Sequence, residues 1–522
     1  MRVEIMDTTL RDGEQTAGVA FSPAEKLSIA KMLLEEVQVD RIEIASARIS
    51  EGERQAVTAI VDWASQHDYL DRLEVLGFID GRHSLDWIHR SGAKVMNLLC
   101  KGSLHHLSHQ LRQTPAQHIA AIRQSLAYAA TLGIEVNIYL EDWSNGMRKS
   151  PEYVMELLEA LRGENIRRFM LPDTLGILNP MEMLDFFQKM VNHFPELHFD
   201  CHTHNDYDLS VANVLAAVHA GAKGAHTTVN GLGERAGNAP LASVVAALHD
   251  QARRKTSVVE TQLNKISRMV EAFAGERVPA NKPIVGEYVF TQTCGVHADG
   301  DAKGDLYSSE LSPERFGRSR KYALGKTSGK ASIRKNLEEL GIDLPNEVMA
   351  KVTDRVVELG DKKETITTED LPFIIADVLG SEVIKERIRI HNYYISHVHR
   401  LRPVATLSIE INGKIFEETA TGDGQYDAFM KALQKIYDKI GKTIPQLLDY
   451  RVAIPPGGKT DALVETVITW ANGKEFKTRG LDSDQSAAAI KATLKMLNLI
   501  EREGDEGESV YGIPVELVNR NL

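Results

Sequence analysis

Residues 3–229 alternate short apolar runs with longer stretches whose apolar residues recur at helical spacing. The stretch 23–37 shows this spacing, and Ser22 with Glu25 three residues on is typical of a helix N-terminus. Eight apolar runs are predicted strands: Val3–Asp7, Arg41–Ala45, Leu73–Gly77, Lys94–Leu99, Glu135–Leu140, Arg167–Leu171, Leu197–His202 and Gly224–Val229. With a last helix at Leu241–Arg253, the alternation predicts an α/β fold, a closed (β/α)8 TIM barrel. An open doubly wound sheet is the alternative, but the chain lacks its GxGxxG turn.

Polar clusters follow most of the predicted strands. In a (β/α)8 barrel the carboxyl ends of the strands share one rim, where active sites lie. The clusters at this rim are Asp7–Gln15, Glu43, Tyr139 with Glu141, Pro172–Thr174, His202–His204 and Asn230–Asn238. A single cluster is typical of a solvated loop, whereas this many at one rim indicate an active site.

His202 and His204 are two residues apart on a strand, so both imidazoles face one side. Asp12 supplies a hard oxygen ligand at the same rim, and an Asp/His/His set suits a divalent ion; Mn²⁺, Mg²⁺ and Zn²⁺ all remain open. Arg11 is placed to hydrogen-bond a polarised carbonyl oxygen, and Thr174 to hold a carboxylate. These residues favour carbon–carbon bond chemistry at a keto acid.

The rest of the chain falls into two further predicted regions, after a catalytic barrel at 1–260. Residues 261–390 combine helical segments with Gly-rich loops and are predicted to be linker subdomains that contribute residues to the active site. Residues 391–522 contain a repeat at an offset of 60 residues, in which Asn412-Gly413-Lys414 recurs as Asn472-Gly473-Lys474. Each copy predicts strand, Asn-Gly turn, strand and helix, so the two copies form a pseudo-twofold α/β unit. Such a unit suits an effector-binding domain; a purely structural or dimerising domain is the alternative.

Bulk composition narrows the function classes. The formal charge of −12 argues against sequence-independent nucleic-acid binding, which needs a surplus of Lys and Arg. No apolar run is long enough to span a bilayer, so no membrane association is expected. Three scattered cysteines indicate neither a disulfide framework nor a Cys-rich zinc site. Residues 1–6 already resemble a strand, and a targeting peptide is therefore not expected in front of it. We therefore expect a cytoplasmic protein.

Long motifs give the chain a family resemblance. Asp7–Gln15, the His202–Asp206 run and Gly231–Asn238 resemble the signatures of the metal-dependent TIM-barrel acyltransferases that include isopropylmalate, homocitrate and citramalate synthases. The resemblance covers essentially the whole chain, including the repeat, which is similar to the amino-acid-sensing regulatory domain of that family. Thr8–Val19, Val39–Arg48, Tyr139–Gly146, Asn205–Ala212 and Gly295–Gly300 resemble in particular the pyruvate-using (R)-citramalate synthases of the leptospiral type.

The resemblance implies a Claisen condensation of acetyl-CoA with pyruvate, followed by thioester hydrolysis. It places Asp12, His202 and His204 on the metal with Asn238 as a further ligand, Arg11 on the keto oxygen and Thr174 on the carboxylate. Leu76, Leu99 and Tyr139 match a small apolar pyruvate pocket. Glu141 matches an acidic residue beside the acetyl methyl group. His297, as general base, and Tyr307 match linker residues that reach the site, from the other subunit of a homodimer.

The resemblance also implies an aliphatic amino-acid effector, isoleucine first, at the C-terminal domain. One departure concerns Asp208, where many isopropylmalate and homocitrate synthases have Gly; the leptospiral-type enzymes share the Asp. The main alternative is a 2-isopropylmalate synthase that uses 3-methyl-2-oxobutanoate and responds to leucine. Three more distant alternatives are an acyl-CoA lyase, a biotin-dependent carboxyltransferase and an amino-acid sensor with an inactive barrel. The lyase is disfavoured because residues 231–241 contain no Cys, and the carboxyltransferase is disfavoured because the chain lacks Met-Lys-Met.

Overall fold

The computed structural model describes residues 2–293, 300, 306, 309–340, 342–361, 366–379, 387–396, 399–454 and 464–501. The chain divides into two compact units. The first comprises residues 1–290 with 308–320, and the second comprises residues 291–307 with 321–522.

The first unit contains a closed barrel of eight parallel strands in the order β1 to β8, which confirms the predicted TIM-barrel fold. The strands are β1 Glu4–Asp7, β2 Arg41–Ser46, β3 Leu73–Phe78, β4 Val95–Lys101, β5 Glu135–Glu141, β6 Phe169–Asp173, β7 Phe199–Thr203 and β8 Gly224–Thr227. Each strand is almost entirely buried, as expected where a lumen covers one face and helices cover the other.

Helices connect successive strands and cover the outside of the barrel. They are α1 Pro23–Lys31, α2 Glu51–Ser65, α3 His83–Ser91, α4 Leu104–His106, α5 Pro115–Thr131, α6 Trp143–Lys149, α7 Pro151–Leu161, α8 Pro180–His193, α9 Ser210–Ala220, α10 Leu241–Asp250 and α11 Leu263–Ala274. The predicted capping box is present at α1, where Ser22 and Glu25 satisfy each other's backbone amides. The helix runs on into a π-helical turn at Met32–Glu36.

The predicted strand ends differ from the observed ones by one or two residues. Strand β8 ends at Thr227 rather than Val229, because Val229–Gly231 forms a tight 3₁₀ turn with Asn230 at a φ of 59°. Strand β6 runs from Phe169 to Asp173, two residues later than predicted. Asp173 is therefore the last residue of the strand instead of following it.

Charged side chains that belong to several strands meet inside the barrel. Arg41 of β2 donates to Glu74 of β3 at 2.7 Å and to Asp200 of β7 at 2.6 Å, and all three are buried. His198 lies 2.9 Å from the second oxygen of Asp200. Together with the cation of Arg41, this hydrogen bond outweighs the effect of burial and holds the pKa of Asp200 well below its usual range. The strands are thus joined through paired charges as well as through the β-ladder.

The second unit begins with a short parallel pair, β9 Thr291–Gln292 with β10 Lys321–Tyr322. The described residues after this pair form the helices α12 Lys330–Glu339, α13 Asn346–Asp361 and α14 Leu371–Leu379. They share an apolar core that includes Ile333, Val352 and Ile375, separate from the core of the barrel.

The predicted C-terminal repeat appears as two β-β-β-α units. The first contains β11 Ile388–Ser396, β12 Val404–Ile411, β13 Lys414–Thr421 and α15 Gln425–Lys439; the second contains β14 Gln446–Ala453, β15 Val464–Asn472, β16 Lys474–Asp482 and α16 Gln485–Ile500. Both sheets are antiparallel, with β12 or β15 in the centre. Each unit carries one strand more than predicted, in front of the recognised repeat. One apolar core, with Leu433 from the first unit and Trp470 from the second, joins the two.

In the described part of the chain, no helix has both the length and the apolar character needed to cross a membrane.

We expect Arg41→Met to destabilise the barrel, because it leaves the carboxylates of Glu74 and Asp200 buried without their cation. The loss should be about 3–5 kcal/mol of unfolding free energy, measured by urea denaturation followed by circular dichroism. Arg54→Met removes an exposed arginine that pairs with Glu51 on the surface of α2 and should leave the unfolding midpoint unchanged. Equal midpoints for the two variants would contradict the stabilising role of the buried network.

Candidate active site

Asp12, His202 and His204 come together at the carboxyl end of the barrel. Nε2 of His202 lies 3.4 Å and Nε2 of His204 lies 4.0 Å from Oδ2 of Asp12. One ligand atom from each residue lies within 4.8 Å of the others, and all three residues are buried. His202 lies within β7, whereas His204 follows the strand and forms a β-bridge with Asn238. The structure thus brings together His202 and His204, which were predicted from their spacing, and Asp12, which was predicted from its position after the first strand.

The donor atoms of this cluster fit a divalent cation. Oδ1 of Asp12 and Oδ1 of Asn238 are buried and have no hydrogen-bond partner within the described residues. Burial lowers the pKa of His202 well below its usual value and also lowers that of His204, so both rings are neutral and carry lone pairs. Buried polar atoms normally find partners, so this unsatisfied set is what a site for a metal requires.

Asp12 is ionised despite its burial. Burial acts to raise the pKa of its carboxyl group, but the cation of Arg11, together with the neighbouring imidazoles and the Asn238 amide, outweighs this effect and brings the pKa to about 2. Nη1 of Arg11 donates to Oδ2 of Asp12 at 3.1 Å. The cluster therefore offers one anionic oxygen and two neutral nitrogens at neutral pH.

A chain of hydrogen bonds fixes Arg11. Its Nε donates to Oε2 of Glu43 on β2 at 2.5 Å, and Asn97 of β4 donates to the other oxygen of Glu43 at 2.7 Å. Asn137 of β5 in turn donates to Asn97 at 2.8 Å. Since Glu43, Asn97 and Asn137 are fully buried, the guanidinium is held in one position beside the metal-ligand cluster.

Leu76, Leu99 and Tyr139 lie together in a small apolar cluster, which also includes Met6 and Met170. The Tyr139 ring lies between the two halves of the site: its centroid is 5.8 Å from the Arg11 guanidinium and 5.6 Å from the His202 ring. Burial raises the pKa of Tyr139 well above its usual value, so the phenol stays neutral. The three residues predicted to form a pocket therefore adjoin the polar cluster.

The loop after β8 holds Asn238 against the histidine strand. Gly233 has a φ of +152°, and a Cβ there would lie 2.2 Å from Nδ2 of Asn238; a Cβ at Gly237 would lie 2.0 Å from the Gly231 carbonyl oxygen. The backbone of this loop pairs with that of β7 through Asn205 to Gly237 at 2.9 Å and Ala239 to Thr203 at 3.1 Å. The glycines thus permit the close approach that brings the amide of Asn238 to the cluster.

The loop after β1 carries Arg11 and Asp12, and Lys26 of α1 anchors it. Nζ of Lys26 donates to the Leu10 carbonyl oxygen at 3.0 Å and contacts Glu14 at 2.6 Å and Glu53 at 2.7 Å. The side chain of Lys26 is 1% exposed, so all three ammonium hydrogens are used inside the protein.

Thr174 follows β6 and is oriented by a neighbouring backbone group. The Asp142 amide donates to Oγ1 of Thr174 at 2.9 Å, and Arg235 donates to the Thr174 carbonyl oxygen at 2.8 Å while pairing with Asp206. Because the hydroxyl oxygen already accepts a hydrogen bond, its own hydrogen is left to donate.

Glu141, the last residue of β5, forms an ion pair with Lys101, the last residue of β4. The Glu141 side chain is 25% exposed, whereas that of Lys101 is 7% exposed. The other two predicted catalytic residues, His297 and Tyr307, lie outside the described residues.

Several residues that build the site were not singled out in the sequence: Lys26, Asn97, Lys101 and Asn137. A signal for three of them was available. Asn97, Lys101 and Asn137 are polar residues within or at the end of apolar strands, at even spacing from Leu99 or Tyr139, and so face the same side of the sheet as the predicted pocket. Lys26 had no comparable signal, because a lysine in a helix is normally exposed.

Three known families match successive stretches of the chain. Residues 2–270 match the family described as HMGL-like, residues 284–364 match the homocitrate synthase post-HMGL domain-like family, and residues 365–501 match the LeuA allosteric (dimerisation) domain.

Two relatives from Methanocaldococcus jannaschii are similar over almost the whole chain. One, named (R)-citramalate synthase, is 33% identical across 96% of this chain and 100% of its own length. The other, named 2-isopropylmalate synthase, is 33% identical across 96% of this chain and 95% of its own length. The chain therefore belongs to the HMGL-like family, among the acyltransferases that condense acetyl-CoA with a 2-oxo acid.

Proposed function

We propose that the protein is an (R)-citramalate synthase that condenses acetyl-CoA with pyruvate and releases CoA, the first step of a threonine-independent route to isoleucine. The observation that carries this proposal is the apolar cluster of Leu76, Leu99 and Tyr139, which lies directly against Arg11 and His202. We infer that two leucines and a tyrosine ring at this position favour a methyl group on the substrate over a branched side chain. The relative named as a citramalate synthase supports the same substrate.

Asp12, His202 and His204 would hold the divalent metal, with Asn238 as a further oxygen donor. When bound, the metal acts as a Lewis acid that polarises the keto group of the 2-oxo acid. Arg11 donates to the same keto oxygen and stabilises the negative charge that develops there, and Glu43 and Asp12 keep its guanidinium in place. Because Arg11 is held before substrate arrives, it needs little reorganisation during the reaction.

Thr174 binds the carboxylate of the 2-oxo acid through its free hydroxyl hydrogen, which the Asp142 amide orients. Tyr139, with its neutral phenol, closes the pocket between the guanidinium and the histidine. Together these contacts present one face of the keto carbon to the acetyl group.

Glu141 and His297 handle the protons of the reaction. A base must remove a proton from the acetyl methyl group, and an imidazole such as His297 is suited to this at neutral pH. In this proposal Glu141 is the acidic group beside the acetyl methyl group, and Tyr307 is the remaining catalytic residue. Hydrolysis of the thioester then makes the condensation irreversible.

The C-terminal repeat is the proposed effector domain and the proposed dimer contact. Its two β-β-β-α units share one apolar core, and the region matches a family described as an allosteric dimerisation domain. We propose an aliphatic amino acid, isoleucine first, as the effector of a homodimer.

A 2-isopropylmalate synthase is the second candidate, because a relative with that name is as similar as the citramalate synthase. The two candidates differ in the 2-oxo acid: 3-methyl-2-oxobutanoate carries two more methyl groups than pyruvate. Pocket size therefore decides between them.

We expect His202→Ala to abolish the metal-dependent condensation without unfolding the protein. Mn²⁺ affinity, measured by calorimetry on chelator-treated protein, should fall more than about 100-fold, since even outer contacts of a metal site cost that much. His193→Ala, which removes an exposed histidine at the end of α8, should bind Mn²⁺ like the wild type. Full activity of the metal-free wild type would exclude the metal role of the cluster.

We expect a preference for pyruvate over 3-methyl-2-oxobutanoate of more than about 10-fold in kcat/KM, because each misplaced methyl group in a tight pocket costs that much. The release of CoA thiol measures both substrates. Leu99→Ala should enlarge the pocket and narrow the ratio, whereas Leu104→Ala, which changes an exposed leucine just beyond β4, should not. A wild-type preference for the branched acid would assign the protein to the second candidate.

We expect isoleucine to inhibit the enzyme and truncation near Ile390 to abolish this inhibition, because the cut removes both repeat units. Calorimetric titration of the full chain with isoleucine, leucine and valine identifies the effector without relying on the truncated protein. If an active truncated form were inhibited as strongly as the full chain, the effector would bind elsewhere.

A further inference from the structure

Strands β4 and β5 run side by side in register, so that side chains on the same face form matched pairs. Asn97 pairs with Asn137, Leu99 with Tyr139 and Lys101 with Glu141. Because residues two apart share a face, the Lys101–Glu141 pair lies one layer above the Leu99–Tyr139 pair, at the carboxyl end of the strands. An ion pair therefore sits directly above the proposed substrate pocket.

Lys101 is an unusual residue for this position. Its side chain is 7% exposed, and a buried ammonium group is stable only if it is paired. Its partner in the structure is the carboxylate of Glu141, which is more exposed. The cation is thus the fixed member of the pair, and the carboxylate is the member that reaches toward the open end of the site.

The backbone of Lys101 is held from outside the barrel. The Tyr153 hydroxyl group of α7 donates to its carbonyl oxygen at 2.8 Å, and its amide donates to Nε2 of His118 on α5 at 3.1 Å. Burial, with the nearby cation of Lys101 adding to the effect, lowers the pKa of His118 to about 4, so the ring is neutral and accepts this hydrogen bond. Two helices thus fix the strand end that carries the ammonium group.

The backbone of Glu141 is fixed to the same strand end. The Gly102 amide donates to the Glu141 carbonyl oxygen at 2.6 Å, and the Ser103 hydroxyl donates to Asp142 at 2.7 Å. A Cβ at Gly146 would lie 2.0 Å from the Gly102 carbonyl oxygen, so helix α6 packs in direct contact with the loop after β4. The remaining freedom of Glu141 is in its side chain, whose rotation costs little energy in a partly exposed group.

We propose that Lys101 is a positioning residue, which holds the Glu141 carboxylate over the Leu99–Tyr139 pocket in the orientation used for acyl transfer. The proposal rests on the role of Glu141 in the proposed function. Lys101 need not touch the substrate, because its ammonium group acts by restricting the rotation of its partner's side chain. The dependence of one residue on the other makes the proposal testable by a double-mutant cycle.

The test uses the full-length, metal-loaded protein with acetyl-CoA and pyruvate. Lys101→Met should lower kcat about 10- to 100-fold, within the range that a correctly placed acid or base contributes, and change both KM values by less than about threefold. Lys101→Arg, which keeps a cation, should recover part of kcat, and Lys94→Met, which removes an exposed lysine at the other end of β4, should have no effect. The double-mutant cycle repeats the Lys101→Met change in a Glu141→Gln background, where it should lower kcat little further.

An equal loss of kcat in both backgrounds would show that Lys101 acts independently of Glu141 and would overturn the proposal.

A crystal structure of the Lys101→Met variant gives a second readout that does not depend on activity. The Glu141 side chain should be displaced or disordered while Tyr139 and the Asp12, His202 and His204 cluster stay in place. A Glu141 carboxylate in its wild-type position would refute the proposal. If Lys101→Met does not fold, Lys101→Gln serves in both experiments. Should wild-type protein condense no 2-oxo acid at all, the proposed function fails, and the position of Glu141 in the variant still decides the role of Lys101.

Discussion

Burial of the Arg11 guanidinium is the constraint on which the site depends. A cation in the interior of a barrel must be paired, and here Glu43 and Asp12 supply the two anions. Glu43 is itself fully buried, so it needs further donors, and Asn97 and then Asn137 provide them. The requirement to satisfy one cation thus extends through the loop after β1 and three strands, and it fixes the geometry of the pocket between them.

The same pairing sets the charge states that the chemistry needs. Arg11 helps to keep Asp12 ionised, while burial keeps His202 and His204 neutral, so the cluster presents the protonation states that a divalent metal requires of its ligands. Arg11 also keeps a hydrogen-bonding group beside the Tyr139 ring. In the proposed function, the metal ligands and the group that stabilises the keto oxygen therefore belong to one network, and a change at Glu43 acts on both.

The barrel and the meeting of Asp12, His202 and His204 could be predicted because both depend on local pattern. Strand periodicity and helix caps depend on residues that are close in the sequence. His202 and His204 face the same side of their strand because they are two residues apart. The place of Asp12 beside the histidines follows from the rule that the carboxyl ends of the strands meet at one rim.

The roles of Asn97, Asn137 and Lys101 could not be predicted in the same way, because they follow from the register between β4 and β5. A shift of one residue in that register would turn each of these partners away. The additional strand of each C-terminal unit escaped prediction because β11 and β14 share no motif comparable to the Asn-Gly turn.

Strands β4 and β5 show how register organises the site. Three in-register pairs give three successive layers: an amide pair that supports Glu43, an apolar–aromatic pair that lines the pocket, and an ion pair at the mouth. Each layer has a different chemistry although the backbone geometry is the same, because alternate side chains of one strand face one side. Under the proposed function, substrate size is therefore adjustable at the middle layer, through Leu99, without disturbing the network below it or the carboxylate above it. Relatives with equal identity to this chain and different names are consistent with such a separation.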